Sequence, residues 1–497
     1  MIATPPALSS RQSGTLKKMS APTRMSDEVL KPAEPPLVLC PLDFERRAVV
    51  RFAKLPVKTI GPGPDAVRHA FAERAQWPVT NPRLILLVGV AGGLNPLLPR
   101  GTAYAPTSVV GCTARPTLLS TVLATAPTTL PTTLQRDHTT PPLAITETNA
   151  PVHDPDAKAR LFRERAADLV DTESLAFATC ADAANIPWAI VRGVGDAADD
   201  ALPREVTGFV DATGATKITR VLRSVLRRPS LIGELRTLAR SSQKALQSAA
   251  FLADAFGALP AISLCTPERP FLLYGGSFDP PHARHATMLR DAMRTLGAPV
   301  ATVMPAALNP LKLDHPPAHR EARVAMCRAA FADHGDETSA SARTVALTGV
   351  GGEIRLSSLE LDRPGPSFTI DTVHAMLASY PHLAGAITFL VGSDAIRHIE
   401  RWHRWRELLE LARPAVVVRP PDDHATVRAF LRDFGAKHGL SKGFADAESW
   451  LLPLEPVDLS STDVRAAIAR GERPAGLADG VWREITTHGL YGFGSVR

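Results

Sequence analysis

Apolar residues in this chain fall into short unbroken runs and longer helically spaced stripes. The runs LVLC at 37–40 and LILLVGV at 84–90 read as buried strands, and TSVVGC at 107–112 offers a further one. WAIVRGVGD at 188–196 reads as a strand running into a glycine-containing loop. The segment 161–187 reads as helical stretches around an acidic centre, and Ser230 to Gly257 as a helix with Leu231, Leu235 and Leu238 on one stripe. Residues 125–143, rich in Thr and Pro, read as loop, and residues 1–35 as unstructured. The three prolines in 258–270 break the helical pattern and mark a domain boundary. These signals predict segments 1–35 (disordered), 36–257 (first domain), 258–269 (linker) and 270–497 (second domain) in a two-domain α/β chain.

Composition narrows the class. Of 497 residues, 45% are hydrophobic and 21% charged, ordinary for a globular protein, so wholesale disorder, collagen and coiled coil are excluded. A net charge of +6 over this length suits an anionic substrate without arguing for nucleic acid. Cys40, Cys112, Cys180, Cys265 and Cys327 are odd in number and far apart, which predicts reduced thiols in a cytoplasmic protein. No apolar run reaches the roughly 20 residues that span a bilayer, so no membrane partner is expected. Residues 1–26 carry four basic residues and no acid, the composition of a transit peptide or of an unstructured start, with Met19 and Met25 as other initiators.

Chemistry concentrates after residue 270, where twelve of the fifteen histidines lie. In FLLYGGSFDPPHARH, a short strand ends in Gly275–Gly276 and a helix begins near His285, with Leu289, Met293 and Leu296 on its stripe. A strand, a bare turn and a helix N-terminus make an anion site. His282 and His285, three residues apart, aim the same way and can hold charge that develops in phosphoryl transfer. In DLSSTDVRAAIARG, Ser460, Ser461 and Thr462 are helix-capping types, Val464 and Ile468 form the buried stripe, and Arg465 stands in the first turn.

GGSFDPPH together with S-S-T-x-x-R resembles the H-x-G-H nucleotidyltransferases, and within them the nicotinate-nucleotide adenylyltransferases. NPLK at 309–312 followed by His319–Arg320, GPSFTIDT at 365–372, VGSDAIRHIERWHRWRELL at 391–409 and the closing THGLYGF fit that subgroup in order. The resemblance covers about 270–497 and implies a Rossmann-like domain in which the phosphate of nicotinate mononucleotide attacks the α-phosphorus of ATP. It implies that His282 and His285 contact the ATP phosphates and that Gly275, Gly276, Ser277 and Phe278 let the nucleotide approach. Ser460, Ser461, Thr462, Arg465 and Lys312 would bind phosphate. Phe368, Thr369 and Trp402 would form the nicotinate end, and Asp394 would meet a ribose or main-chain partner. Mg²⁺ would arrive with ATP, with no metal held by the protein alone. Trp402 and Trp405, at helical spacing, also fit core packing. Arg284 stands where the family has a small residue, giving H-A-R-H, and either adds a phosphate contact or crowds the site. A nucleotide sensor, or an adenylyltransferase for another acceptor such as nicotinamide mononucleotide, stays open. ATP and nicotinate mononucleotide are the expected partners, nucleic acid is not expected, and the oligomeric state is left open.

VDTESLAFATCADAANIPWAIVRGVGDAADDALP at 170–203 resembles the nucleoside phosphorylases and nucleosidases, particularly their hopanoid-associated branch, which implies a mixed-sheet α/β domain. There Glu173 would bind ribose hydroxyls, Asp196 would protonate the leaving purine, and Glu45 would lie near the loop after the first strand. Thr172, Gly195 and Thr102 depart from the usual residues, so an active and a degenerate domain are both open.

Overall fold

The computed structural model describes residues 27–113, 143–308, 317–332, 352–440, 446–455 and 461–494. The start at 1–26, nearly all of the Thr/Pro-rich stretch, Lys312 and Ser460 lie outside the described residues. Two sheets divide the apolar runs between them, in a two-domain mixed α/β arrangement. One departure comes first along the chain. Asp27–Lys31 (β1), expected to be unstructured, is an edge strand of the second sheet, and Glu28 holds Arg328 through two bonds of 2.7 Å. A five-residue strand at a sheet edge forms only by pairing across space, so local pattern does not announce it.

The first sheet gathers Leu37–Cys40 (β2), Val57–Thr59 (β3), Ile85–Gly93 (β4), Ala103–Tyr104 (β5), Ser108–Val109 (β6), Ala144–Glu147 (β7), Leu169–Asp171 (β8) and Trp188–Asp196 (β9). Its order is β3-β2-β4-β8-β7-β6, with β9 parallel to β4 and β5 paired to β9. The pairing is mixed: β4 runs parallel to β2 but antiparallel to β8. The expected helix at 161–187 is interrupted. Helices Pro155–Arg165 and Ser174–Ala183 flank β8, whose three buried residues are too few to show as a period. The expected strand at 107–112 shrinks to two residues. The long helix Leu231–Gly257 follows the predicted limits and packs Ala249, Ala250, Ala253 and Phe256 on Val38, Leu86, Val88 and Val191. Gly193 permits this approach, because a Cβ there would lie 2.5 Å from the Ala245 carbonyl oxygen.

The second sheet holds Phe271–Gly276 (β10), Val300–Pro305 (β11), Glu353–Ser357 (β12), Ile387–Gly392 (β13) and Ala412–Val417 (β14), in the order β1-β12-β11-β10-β13-β14. All neighbours from β12 to β14 are parallel. Strand order therefore reverses between β10 and β13. In open parallel sheets that switch point opens a crevice at the strands' carboxyl ends. The residues beyond Gly276, Pro305, Gly392 and Val417 all meet there.

Candidate functional site

The crevice starts with two glycines of different use. Gly276 lies under the Phe278 ring, and a Cβ there would sit 3.1 Å from that ring. A Cβ on exposed Gly275 would meet nothing within 4 Å, so internal packing does not demand that glycine. Phe278 takes a left-handed φ of 46° and is buried against Tyr274, Phe331 and His285. This turn delivers His282 to the N-cap of the helix Ala283–Leu296, one turn from His285.

The imidazoles face each other at 3.8 Å between centroids. The His282 backbone N–H donates to His285 Nδ1 at 3.2 Å, which places the proton of neutral His285 on Nε2. His282 is 2% exposed and its Nδ1 has no partner. Burial, with the charges of Arg419 and Arg284, holds its pKa down at about 4, so it is neutral at pH 7. Arg284 itself is exposed.

Helix Ser461–Ala469 closes one side. Ser461 Oγ donates to the Pro280 carbonyl at 3.2 Å, and Arg465 Nη1 donates to the Asp279 carbonyl at 2.7 Å. Arg465 Nη2 also bonds the Thr462 hydroxyl at 3.2 Å. The hydroxyl-bearing helix start thus touches the loop that carries His282, although some 180 residues separate them in sequence. Tyr491 donates to Asp279 Oδ1 at 2.6 Å, and the Ala318 N–H donates to the same oxygen at 3.2 Å. Arg323, 3% exposed, donates to the carbonyls of Ser277, Ala306 and Ala318 at 3.2, 2.6 and 3.0 Å. One buried guanidinium therefore ties the loop after β10 to the loop after β11.

On the opposite side, Asp394 follows β13 and pairs with Arg419 at 3.5 Å, and Ser393 Oγ accepts the Arg419 N–H at 3.0 Å. Gly392 leaves room for this pair, because a Cβ there would lie 2.7 Å from Arg419 Nε. The Ser367 hydroxyl accepts from the Ala307 N–H at 2.9 Å, which docks the 365–372 segment on the loop after β11. Phe368 caps the helix Thr369–Ser379, and its ring lies 4.6 Å from His403. Trp402 is half-buried, with its ring 5.9 Å from Phe389 at the edge of the core.

The first sheet carries a separate polar cluster. Arg192, fully buried on β9, pairs with Asp171 at 2.5 Å and Glu173 at 3.0 Å. Glu45 accepts the N–H groups of Val90 and Leu42, each at 2.9 Å. Burial pushes its carboxyl up to about 7 against the pull of Arg192. Burial likewise lifts Glu173, again against Arg192. Gly89 runs between these groups, and a Cβ on it would fall 2.5 Å from Glu45 Oε1. Asp196 stands apart from them in a pair of its own. The fully buried Lys158 meets it at 2.5 Å and also donates to the carbonyls of Ala197 and Asp200 at 2.7 and 2.9 Å. Burial raises the Asp196 carboxyl above its ordinary range, and the Lys158 ammonium opposes that rise.

Two family models match this chain: "Phosphorylase superfamily" over residues 56–227 and "Cytidylyltransferase-like" over residues 273–467. A probable nicotinate-nucleotide adenylyltransferase of Symbiobacterium thermophilum is 31% identical over 218 residues, which is 44% of this chain and 92% of the relative. One from Gemmatimonas aurantiaca is 33% identical over 220 residues, which is 44% of this chain and 90% of the relative. The chain belongs to the nicotinate-nucleotide adenylyltransferase family. It does so through its C-terminal half, and it is a nucleotidyltransferase. Among solved structures, the Plasmodium falciparum nicotinic acid mononucleotide adenylyltransferase complexed with NaAD is 17% identical, with a TM-score of 0.32, covering 45% of this chain and 98% of that one. The Helicobacter pylori futalosine hydrolase is 14% identical, with a TM-score of 0.29, covering 46% of this chain and 99% of that one. The first half of the chain is phosphorylase-like over residues 56–227.

Within the adenylyltransferase half, the expected residues fall into three groups. His282, His285, Gly275, Gly276, Ser277, Phe278, Ser461, Thr462 and Arg465 belong to one loop-and-helix contact. Phe368 and Thr369 start the helix at the second wall, and Asp394 stands just after β13. Trp402 lies half-buried against Phe389. Sequence reasoning missed Arg323, Arg419 and Tyr491. Arg323 had a readable signal, since it shares a buried stripe with Ala322, Met326 and Cys327, where an unpaired arginine is costly. In the first half, reasoning named Glu45, Glu173 and Asp196 but not the cations Arg192 and Lys158.

Proposed function

We propose that the C-terminal half transfers the adenylyl group of ATP to nicotinate mononucleotide, giving nicotinate adenine dinucleotide and pyrophosphate. The observation that carries this reading is the contact of the His282 loop with the Ser461–Arg465 turn. It supports a single triphosphate lying along both. A phosphate oxygen of the mononucleotide attacks the α-phosphorus, the bond from that phosphorus to the bridging oxygen breaks, and pyrophosphate leaves. No enzyme intermediate is needed, so catalysis is positioning and charge stabilisation. The two imidazoles would donate to phosphoryl oxygens, with Arg284 free at the rim. Thr462 and Arg465 would receive the departing phosphates. Mg²⁺ enters as part of MgATP. Asp279 is taken up by Tyr491 and Ala318 and Asp394 by Arg419, so these carboxylates suit loop positioning better than a protein-held cation. With both acceptors offered together, the full chain is expected to convert nicotinate mononucleotide in preference to nicotinamide mononucleotide, read by chromatography of the dinucleotides with pyrophosphate release. ATP binding without pyrophosphate release would instead leave a sensor.

For the first half, the Lys158 pairing favours a nucleosidase-like domain without a working general acid. The ammonium 2.5 Å from Asp196 takes up the oxygen from which a proton would be given, even though burial leaves that carboxyl above its ordinary range. The full chain is accordingly expected to release no adenine from adenosyl substrates. Adenine release that disappears in an Asp196→Asn variant would restore Asp196 as the acid.

A further inference from the structure

The helix Ile218–Arg227 buries none of its side chains. Ile218, Val221, Leu222, Val225 and Leu226 repeat at helical spacing and fill one arc of about 140° at 3.6 residues per turn. Ile218, Leu222 and Leu226 are 68%, 58% and 82% exposed. The opposite arc carries Arg220, Arg223 and Arg227, with Lys217 at the start, and no acidic residue occurs from 212 to 233. The helix is not loosely attached. The Lys217 N–H bonds the Phe209 carbonyl at 2.7 Å, and at the other end Arg228 pairs with Glu205 at 3.1 Å and with Glu234. Both ends are pinned while Ile218, Leu222 and Leu226 stay exposed.

We propose that this helix lies in the surface of a bilayer bearing acidic lipid headgroups. A free phosphate would satisfy the arginines but leave the stripe in water. A neutral apolar partner would cover the stripe but leave the cations without counter-charge. An anionic bilayer does both, with the stripe at the acyl boundary and the cations among the headgroups. The attachment is peripheral, since no helix among the described residues is long and apolar enough to cross a membrane. It departs from the expectation of no membrane partner, which rested only on the lack of a spanning segment.

The test is sedimentation of the full chain with phosphatidylcholine vesicles, with and without phosphatidylglycerol. Binding is expected only with the acidic lipid. It should fall at least about tenfold in Leu222→Asp/Leu226→Asp and in Arg223→Glu/Arg227→Glu, and weaken in about half-molar salt. Melting and dinucleotide synthesis should be unchanged in these variants, whose altered side chains lie on the surface. Two results would overturn the proposal. One is equal lipid binding by wild type and the Leu double variant. The other is a wild-type dimer that the Leu variant converts to monomer in analytical ultracentrifugation, which would make the stripe an interface between copies.

Discussion

Replacing His282 with Ala is expected to lower the rate of dinucleotide synthesis by about a hundredfold or more, with His285→Ala close behind. That factor corresponds to about 2.7 kcal/mol of transition-state stabilisation, the size expected when a preorganised donor to a phosphoryl group is lost. The reason lies in the geometry. The His282 imidazole is closed off from solvent, tilted against His285, and carries a ring nitrogen with no internal partner. A buried polar atom without a partner costs stability unless something else compensates. An incoming phosphate is a compensation the site is shaped to receive. The ATP KM should change much less than kcat, because Thr462 and Arg465 remain. Unchanged kcat in both single variants would remove the histidines from the chemistry.

The same residue sets a pH signature in the free enzyme. Its folded pKa is held at about 4, while in the unfolded chain it takes its ordinary 6.5. The unfolded state therefore binds the extra proton between those values, and stability is lost as pH falls through that window. The loss integrates to about 3 kcal/mol at about 1.4 kcal/mol per pKa unit. In His282→Ala that part of the acid sensitivity should vanish, while melting near pH 7 stays close to wild type. Urea unfolding between pH 7 and 4 measures it. Bound ATP should move the pKa upward, since a phosphate beside the ring favours its charged form.

How much of this could be read from the sequence depends on distance along the chain. GGSFDPPH is legible because strand, turn, cap and histidines lie within one segment, so local rules fix their relation. SSTDVR is legible as a capped helix, and only the resemblance tied it to the first motif. Arg419 and Tyr491 were not legible as parts of the site. A single arginine after a strand and a tyrosine near the C-terminus acquire meaning only when parallel pairing brings β13 and β14 beside β10. Trp402 shows the converse. Its type suited both ring stacking and core packing, and its half-buried ring lies beside Phe389. Lys158 escapes notice for a similar reason. In PDAKARLFRER it looks like one more charge on a solvated helix, yet it is the residue of that helix that is fully buried.

Replacing Arg192 with Met is expected to unfold the first half selectively. Arg192 has no solvent exposure and neutralises Asp171 and Glu173, and its charge also bears on Glu45. Methionine fills much of the volume but leaves three buried carboxyl groups facing one another. Removing one partner of a buried ion pair costs about 3–5 kcal/mol, far more than the pair contributes over an apolar replacement. For a domain of this size that is a fall of roughly 6–20 °C in melting temperature. Calorimetry should show the low-temperature shift in one transition only, with dinucleotide synthesis by the other half retained below it. The deficit should shrink as pH falls toward 5, because the carboxyl groups can then enter the core protonated. Adding Asp171→Asn and Glu173→Gln to Arg192→Met should recover much of the loss, since the uncompensated charge rather than a missing contact is the cause. Failure of the triple variant to recover, with the single variant equally unstable at every pH, would mean that Arg192 acts through packing.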